Sequence, residues 1–208
     1  AAAHGLMECL QRDGNGLQLR AMDAKVGLVF DEPVPPDLVP VLDRLERAGI
    51  DLLPKFASDE FGVTNVFVVG ADRDPSRLTI PIALTGCGEA ADLDRNAALR
   101  KAVLEYGHAR ARKAFAFGPI EAIGRVMPAG YWERVEPRVR RAAVRTEPRQ
   151  IHAFRKWLAL DGNGLRDLLT DPVFTSTPTK SFAELGTAAG ASSSAKGEQV
   201  ARQLLAAG

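Results

Sequence analysis

The sequence predicts an α+β fold in one domain. A leucine-periodic segment opens the chain, runs rich in β-branched and aromatic residues crowd between residues 24 and 72, and a long alanine-rich helical pattern starts near residue 94. The order of helix, strand, helix, three strands, long helix and further helices mixes both element types in one core. At 208 residues, 46% apolar and 25% charged, the chain can bury a sizeable core of its own.

Leu6, Leu10, Leu17 and Leu19 recur at helical spacing over residues 2 to 22, with Gly14 and Gly16 expected to end the helix near "RDGNG". "AKVGLVF" (24–30) is a strand. "EPVPPDLVPVLDRLERAG" is a turn and then a helix over 36–48, with Pro35 and Pro36 at its first turn and Gly49 at its C-cap. "IDLLPKFAS" and "TNVFVVGAD" are strands joined by a turn at "DEFG". "RLTIPIALTG" alternates as a third strand, with Pro81 marking an edge or a bulge. "CGEAADLD" leads into a helix over 94–117, capped by Asp92 or Asp94, with Leu99, Val103 and Tyr106 as its buried stripe. Residues 131–160 are helical and arginine-rich, "DPVFTSTPTKS" is a loop, and "TAAGASSSAKG" (187–197) is a flexible connection before a last helix over 198–208.

The bulk numbers exclude several classes. Net charge is +1, so no global field favours nucleic acid or membrane. No apolar run reaches the ~20 residues of a membrane span. Cys9 and Cys87 form no disulfide framework, which fits a reducing cytoplasm. No Walker A loop, GxGxxG, GxSxG or zinc spacing occurs, and Glu105–His108 is a lone half of the di-iron ExxH signature. The tract "ERVEPRVRRAAVRTEPRQIHAFRK" would suit RNA, but Glu133, Glu136 and Glu147 dilute it. The chain begins without methionine, inside a helical pattern, and is expected to be a piece of a longer protein.

Two polar helical patches remain. Glu8, Gln11 and Arg12 stand at i, i+3 and i+4; Glu105, His108 and Arg112 stand at i, i+3 and i+7, with Arg110 to the side. The spacing alone also suits a solvated helix face, where a pair such as Glu8–Arg12 contributes only ~0.2–0.5 kcal/mol. It equally suits a metal–triphosphate clamp, because Mg2+ takes one or two carboxylates with phosphate oxygens and arginine offers bidentate donors to phosphate.

"GLMECLQR" (Gly5 to Arg12) and "AALRKAVLEYGHAR" (Ala97 to Arg110), in this order and with this strand-rich text between them, resemble the YcaO family of ATP-dependent peptide-backbone-modifying enzymes. The resemblance is best over residues 1–118. It is loose over the arginine-rich extension 119–186 and is carried further only by "TKSFAEL" and the last helix. It implies a YcaO-like α/β sandwich, a mixed sheet with long helices carrying the nucleotide-site glutamates, here as an incomplete domain.

The resemblance implies ATP and Mg2+ as cofactors. Glu8 and Glu105 would be metal ligands, and Arg12, Arg110, His108 and Gln11 would contact phosphates. The implied activity is phosphorylation of a peptide amide oxygen, giving azolines, thioamides or related products. A peptide or protein substrate, a leader-peptide-binding or sulfur-delivery partner and a homodimer go with it. Gln11 and His108 depart from the family's glutamate and glutamine, so a degenerate peptide- or partner-binding module is the alternative.

Overall fold

The structure, a computed structural model, describes residues 2–15, 26–116, 129–130, 159–188 and 191–207. Helices α1 (Ala2–Asn15), α2 (Val39–Arg47), α3 (Arg95–Ala116), α4 (Gly162–Phe174) and α5 (Ser193–Ala207) accompany strands β1 (Gly27–Val29), β2 (Ile50–Ser58), β3 (Thr64–Asp72), β4 (Thr85–Asp92) and β5 (Thr179–Ser181). The strands form one mixed sheet in the order β4-β3-β2-β1-β5. β2, β3 and β4 are an antiparallel meander; β1 pairs antiparallel with β2 and parallel with β5. This is the predicted mixed α+β architecture. No described helix is long and apolar enough to cross a membrane.

Strand alternation sends neighbouring residues to opposite faces. On one face Val66, Val68 and Ala90 pack under Leu99, Ala102, Val103 and Tyr106 of α3, with Leu38 and Leu42 of the α2 region beside them. Each fully buried aliphatic or aromatic side chain there contributes about 1.5–3 kcal/mol. On the other face Ala91 and Leu93 meet Met7, Leu6 and Leu10 of α1 and Val200 of α5, while Ala71 and Leu84 meet Leu165 of α4. α1 and α5 cross closely: a Cβ on Gly197 would lie 2.6 Å from Ala3 Cβ.

The seating of α3 is closer still. Gly70 pairs with Gly86, and Val68 with Gly88, across β3 and β4. A Cβ on Gly88 would stand 1.9 Å from the Ala102 carbonyl oxygen, and one on Gly70 would stand 2.9 Å from Tyr106 Cζ. The helix backbone therefore rests on strand backbone. The start of α3 is fixed by Asp94, whose side chain accepts from Asn96 N, and by Arg95, which donates to the carbonyls of Ala183 and Leu185 at 2.8 Å and covers the Phe182 ring.

Several sequence expectations are corrected. The third strand is not "RLTIPIALTG": Pro75–Arg77 and Pro81–Ala83 are 3-10 turns, with proline in the first turn of each. The strand is the glycine- and alanine-rich stretch that follows. The second helix starts at Val39, with Pro40 rather than Pro35 or Pro36 in its first turn, since 36–38 form a turn. The start of the predicted loop 171–181 belongs to α4, capped by Asp161, whose Oδ1 accepts from Gly164 N at 2.7 Å. Its end is β5. The second half of 187–197 is the first turn of α5. The predicted helix over 131–160 and the arginine-rich tract lie, up to residue 158, outside the described residues.

Two glycines, one in β4 and one in α3, should behave oppositely. Gly88→Ala has no room and should destabilise by about 3 kcal/mol, the upper range for overpacking. Gly107→Ala, on an exposed helical position with nothing within 4 Å of a new Cβ, should stabilise by about 0.5–1 kcal/mol. Urea unfolding of both variants checks the pair.

Candidate functional site

A cavity of about 660 Å3 opens at the β4 edge of the sheet, between α3 on one face and α1 and α5 on the other. That volume suits a nucleotide-sized ligand. α1 lines it with His4, Glu8 and Gln11, and α3 with Lys101, Glu105 and His108. Each trio follows one helix face at i, i+4 and i+7. Glu89 and Asp92 of β4 and Lys196 of α5 complete the polar lining.

Glu105 reaches over the strand edge, and its Oε2 accepts from Glu89 N at 2.9 Å. Among the described residues β4 has no outer neighbour strand, so this carboxylate takes an edge amide and is held in place by it. Glu8 pairs with Arg12 at 3.4 Å, and both side chains are well exposed. Gln11 is buried, and its backbone carbonyl accepts from Asn65 Nδ2 at 3.1 Å. The structure thus brings Glu8, Gln11, Glu105 and His108 to one cavity. Arg12 sits at its margin and does not line it.

Arg110 turns away from the cavity. Its guanidinium pairs with Asp72 at 2.7 Å and donates to Leu84 O and Tyr106 Oη at 3.3 Å. Burial works against its charge, but Asp72 and Tyr106 outweigh that and hold its pKa above the ordinary value. The sequence expects a phosphate ligand at this position; the structure gives the side chain a packing role beneath the C-terminal half of α3. Arg112 lies in a separate groove with Cys87 and Lys113.

Asp92 was expected only as a helix cap. Its side chain is 6% exposed and is gripped by Lys101 Nζ at 2.7 Å and Lys196 Nζ at 2.6 Å. It also accepts from Asp94 N at 3.1 Å. Burial opposes its ionisation, yet the hydrogen bonds from Lys101, Lys196 and the Asp94 amide prevail and lower its pKa. Lys101 was legible as the residue one turn before Glu105 on the same face. Lys196 stands in a small-residue stretch that offers no signal.

The donor set fits Mg2+. Carboxylates and an amide are hard oxygen ligands, and imidazole is an ordinary hydrogen-bond partner for phosphate. Among the described residues no three His, Cys, Asp or Glu stand close enough to hold a metal ion by themselves. Phosphate oxygens and water would have to complete the shell, which is how Mg2+ is usually bound in phosphoryl-transfer sites.

The Asp92 cluster has a pH signature. A carboxyl whose pKa is lower in the folded state than in the unfolded one contributes stability above the unfolded value, and that stability is lost as pH falls through the folded value. Asp92→Asn should therefore lower stability by about 2 kcal/mol at pH 7. The gap to wild type should begin to narrow only at the acid end, as pH falls through the lowered folded-state value and the native carboxyl takes up its proton. Thermal melts of both proteins from pH 7 to pH 3 measure it.

The family model described as YcaO cyclodehydratase, ATP- and Mg2+-binding, matches residues 1–189. The solved structure of YcaO from Methanopyrus kandleri bound with AMPPCP and Mg2+ is similar, with TM-score 0.59 and 16% identity, over 99% of this chain and 44% of that one. The heterocyclase TruD is similar with TM-score 0.59 and 14% identity, over 99% of this chain and 23% of that one. Among curated proteins no sequence matches. The chain spans less than half the length of these solved relatives. A family model covering most of the sequence, together with a shared fold, makes this chain a member of the YcaO family.

Proposed function

We propose that the cavity binds Mg2+ and ATP and that the protein activates a peptide backbone amide by phosphorylating its oxygen. The observation that carries this is the convergence of Glu8 and Glu105, from the start and the middle of the chain, on one cavity with Gln11 and His108. The family description and the ligands named for the Methanopyrus kandleri protein support it.

In this reading Glu8 and Glu105 hold the metal from two helices. Mg2+ bound there supplies neutralisation of phosphate charge and alignment of the transferred group. Glu105 is already oriented by the Glu89 amide, so little reorganisation is needed on loading. Gln11 is packed against β3 through its backbone and offers an amide oxygen or N–H from a fixed base. His108, exposed at the cavity rim, can donate to a phosphate oxygen.

In the reaction itself a nucleophile adds to the amide carbonyl, the resulting oxyanion takes the γ-phosphoryl group, and phosphate leaves with ADP as co-product. Azoline, thioamide or amidine products differ only in the nucleophile. The peptide, any leader-binding or sulfur-delivery partner and a homodimer belong to this proposal.

A second reading, a peptide- or partner-binding module without catalysis, draws on one observation. With Gln11 and His108 in place of acidic and amide groups, the described residues hold no self-sufficient metal cluster. Calorimetric titration of the full-length protein with Mg2+ and AMPPCP separates the two. The enzyme reading expects micromolar binding that weakens at least about tenfold in Glu8→Gln and in Glu105→Gln. Absence of binding in the wild-type protein leaves only the module.

A further inference from the structure

Phosphate in this cavity needs cations, and the motif arginines do not supply them: Arg110 is committed to Asp72, and Arg12 lies outside the lining. Among the lining residues Glu8, Glu89, Asp92 and Glu105 are acidic, and Lys101 and Lys196 are the strong bases. A triphosphate brought in with one Mg2+ would still be anionic, and beside these carboxylates it would be repelled unless both amines face it.

The two lysines are placed for that. They come from opposite sides of the sheet, one from α3 and one from the first turn of α5, and share the carboxylate of Asp92 through one oxygen each. An ammonium has three N–H donors. Asp92 is the side chain that each amine engages among the described residues, so two donors on each are left for a ligand. Lysine is ordinarily a mobile point charge on a flexible stem. Pinning both amines to one buried carboxylate removes much of that freedom before a ligand arrives, and the trio keeps a net positive charge. The close crossing at Gly197 and Ala3 keeps Lys196 beside the helix that carries Glu8.

We propose that Lys101 and Lys196, ordered by Asp92, are the phosphate-contacting cations of this cavity, for a nucleoside triphosphate or an inorganic polyphosphate. The inference rests on the nucleotide reading above. It also assigns a binding role to α5, whose sequence carries no nucleotide motif.

Titration of the full-length protein with inorganic tripolyphosphate and with Mg2+–AMPPCP, each at two salt concentrations, tests it. Lys101→Met and Lys196→Met should each weaken both ligands about tenfold and reduce the salt dependence of binding. Lys101→Arg and Lys196→Arg should recover most of the affinity, which a purely structural staple would not require. Circular dichroism identifies folded variants; Lys101, exposed on α3, carries the test if Lys196→Met unfolds. Folded methionine variants that bind both ligands within about twofold of wild type overturn the proposal and leave the nucleotide reading standing. A wild-type protein that binds neither ligand overturns both.

Discussion

The close seating of α3 on β4 is the constraint on which the rest of this structure depends. Helix and sheet normally pack with side chains between them. Here Gly70, Gly86 and Gly88 remove those side chains, and the helix backbone descends onto the strand. Only at that depth can Glu105 reach past the strand edge to the Glu89 amide. The same descent buries Tyr106 and half-buries Arg110 on the inner side of the helix. One face of α3 is thereby committed to the core, and the neighbouring face, with Lys101, Glu105 and His108, is committed to the cavity.

The opposite wall obeys a similar logic with weaker means. Small residues at Ala3 and Gly197 let α1 and α5 cross closely, and Met7, Leu6 and Leu10 anchor α1 on the far face of the sheet. Glu8 then projects from a helix whose apolar side is fixed. The charges that link the two walls converge on Asp92, a buried carboxylate that would be unstable alone and is sustained by amines from both sides. Helices from opposite faces of the sheet are joined through the strand that lies between them.

Much of this was legible in the sequence, and what was missed has identifiable causes. β2 and β3 were found with their bounds because their residues are β-branched and aromatic. The stripe Leu99, Val103 and Tyr106 is buried as its period requires. β4 was misplaced because "TGCGEAAD" has poor strand propensity; its small residues are there for the helix above them, a tertiary reason that local pattern does not contain. α4 was hidden in a sequence that begins Gly-Asn-Gly and carries Pro172 in its last turn. At the site, two carboxylates, an amide and an imidazole could be gathered through the family resemblance of the two motifs, not from spacing alone. The direction taken by Arg110 could not, because it depends on Asp72 across the sheet. Nor could the role of Lys196, which is set by where α5 docks.

A double-mutant cycle on cation affinity tests the central claim, that carboxylates at 8 and 105 face one ion. Mn2+ binding in the presence of AMPPCP would be measured by electron paramagnetic resonance for wild type, Glu8→Gln, Glu105→Gln and the double variant. If the two side chains share the ion, the effects should be non-additive by more than about 1 kcal/mol. Strict additivity, or indifference of the cation to either change, would contradict it.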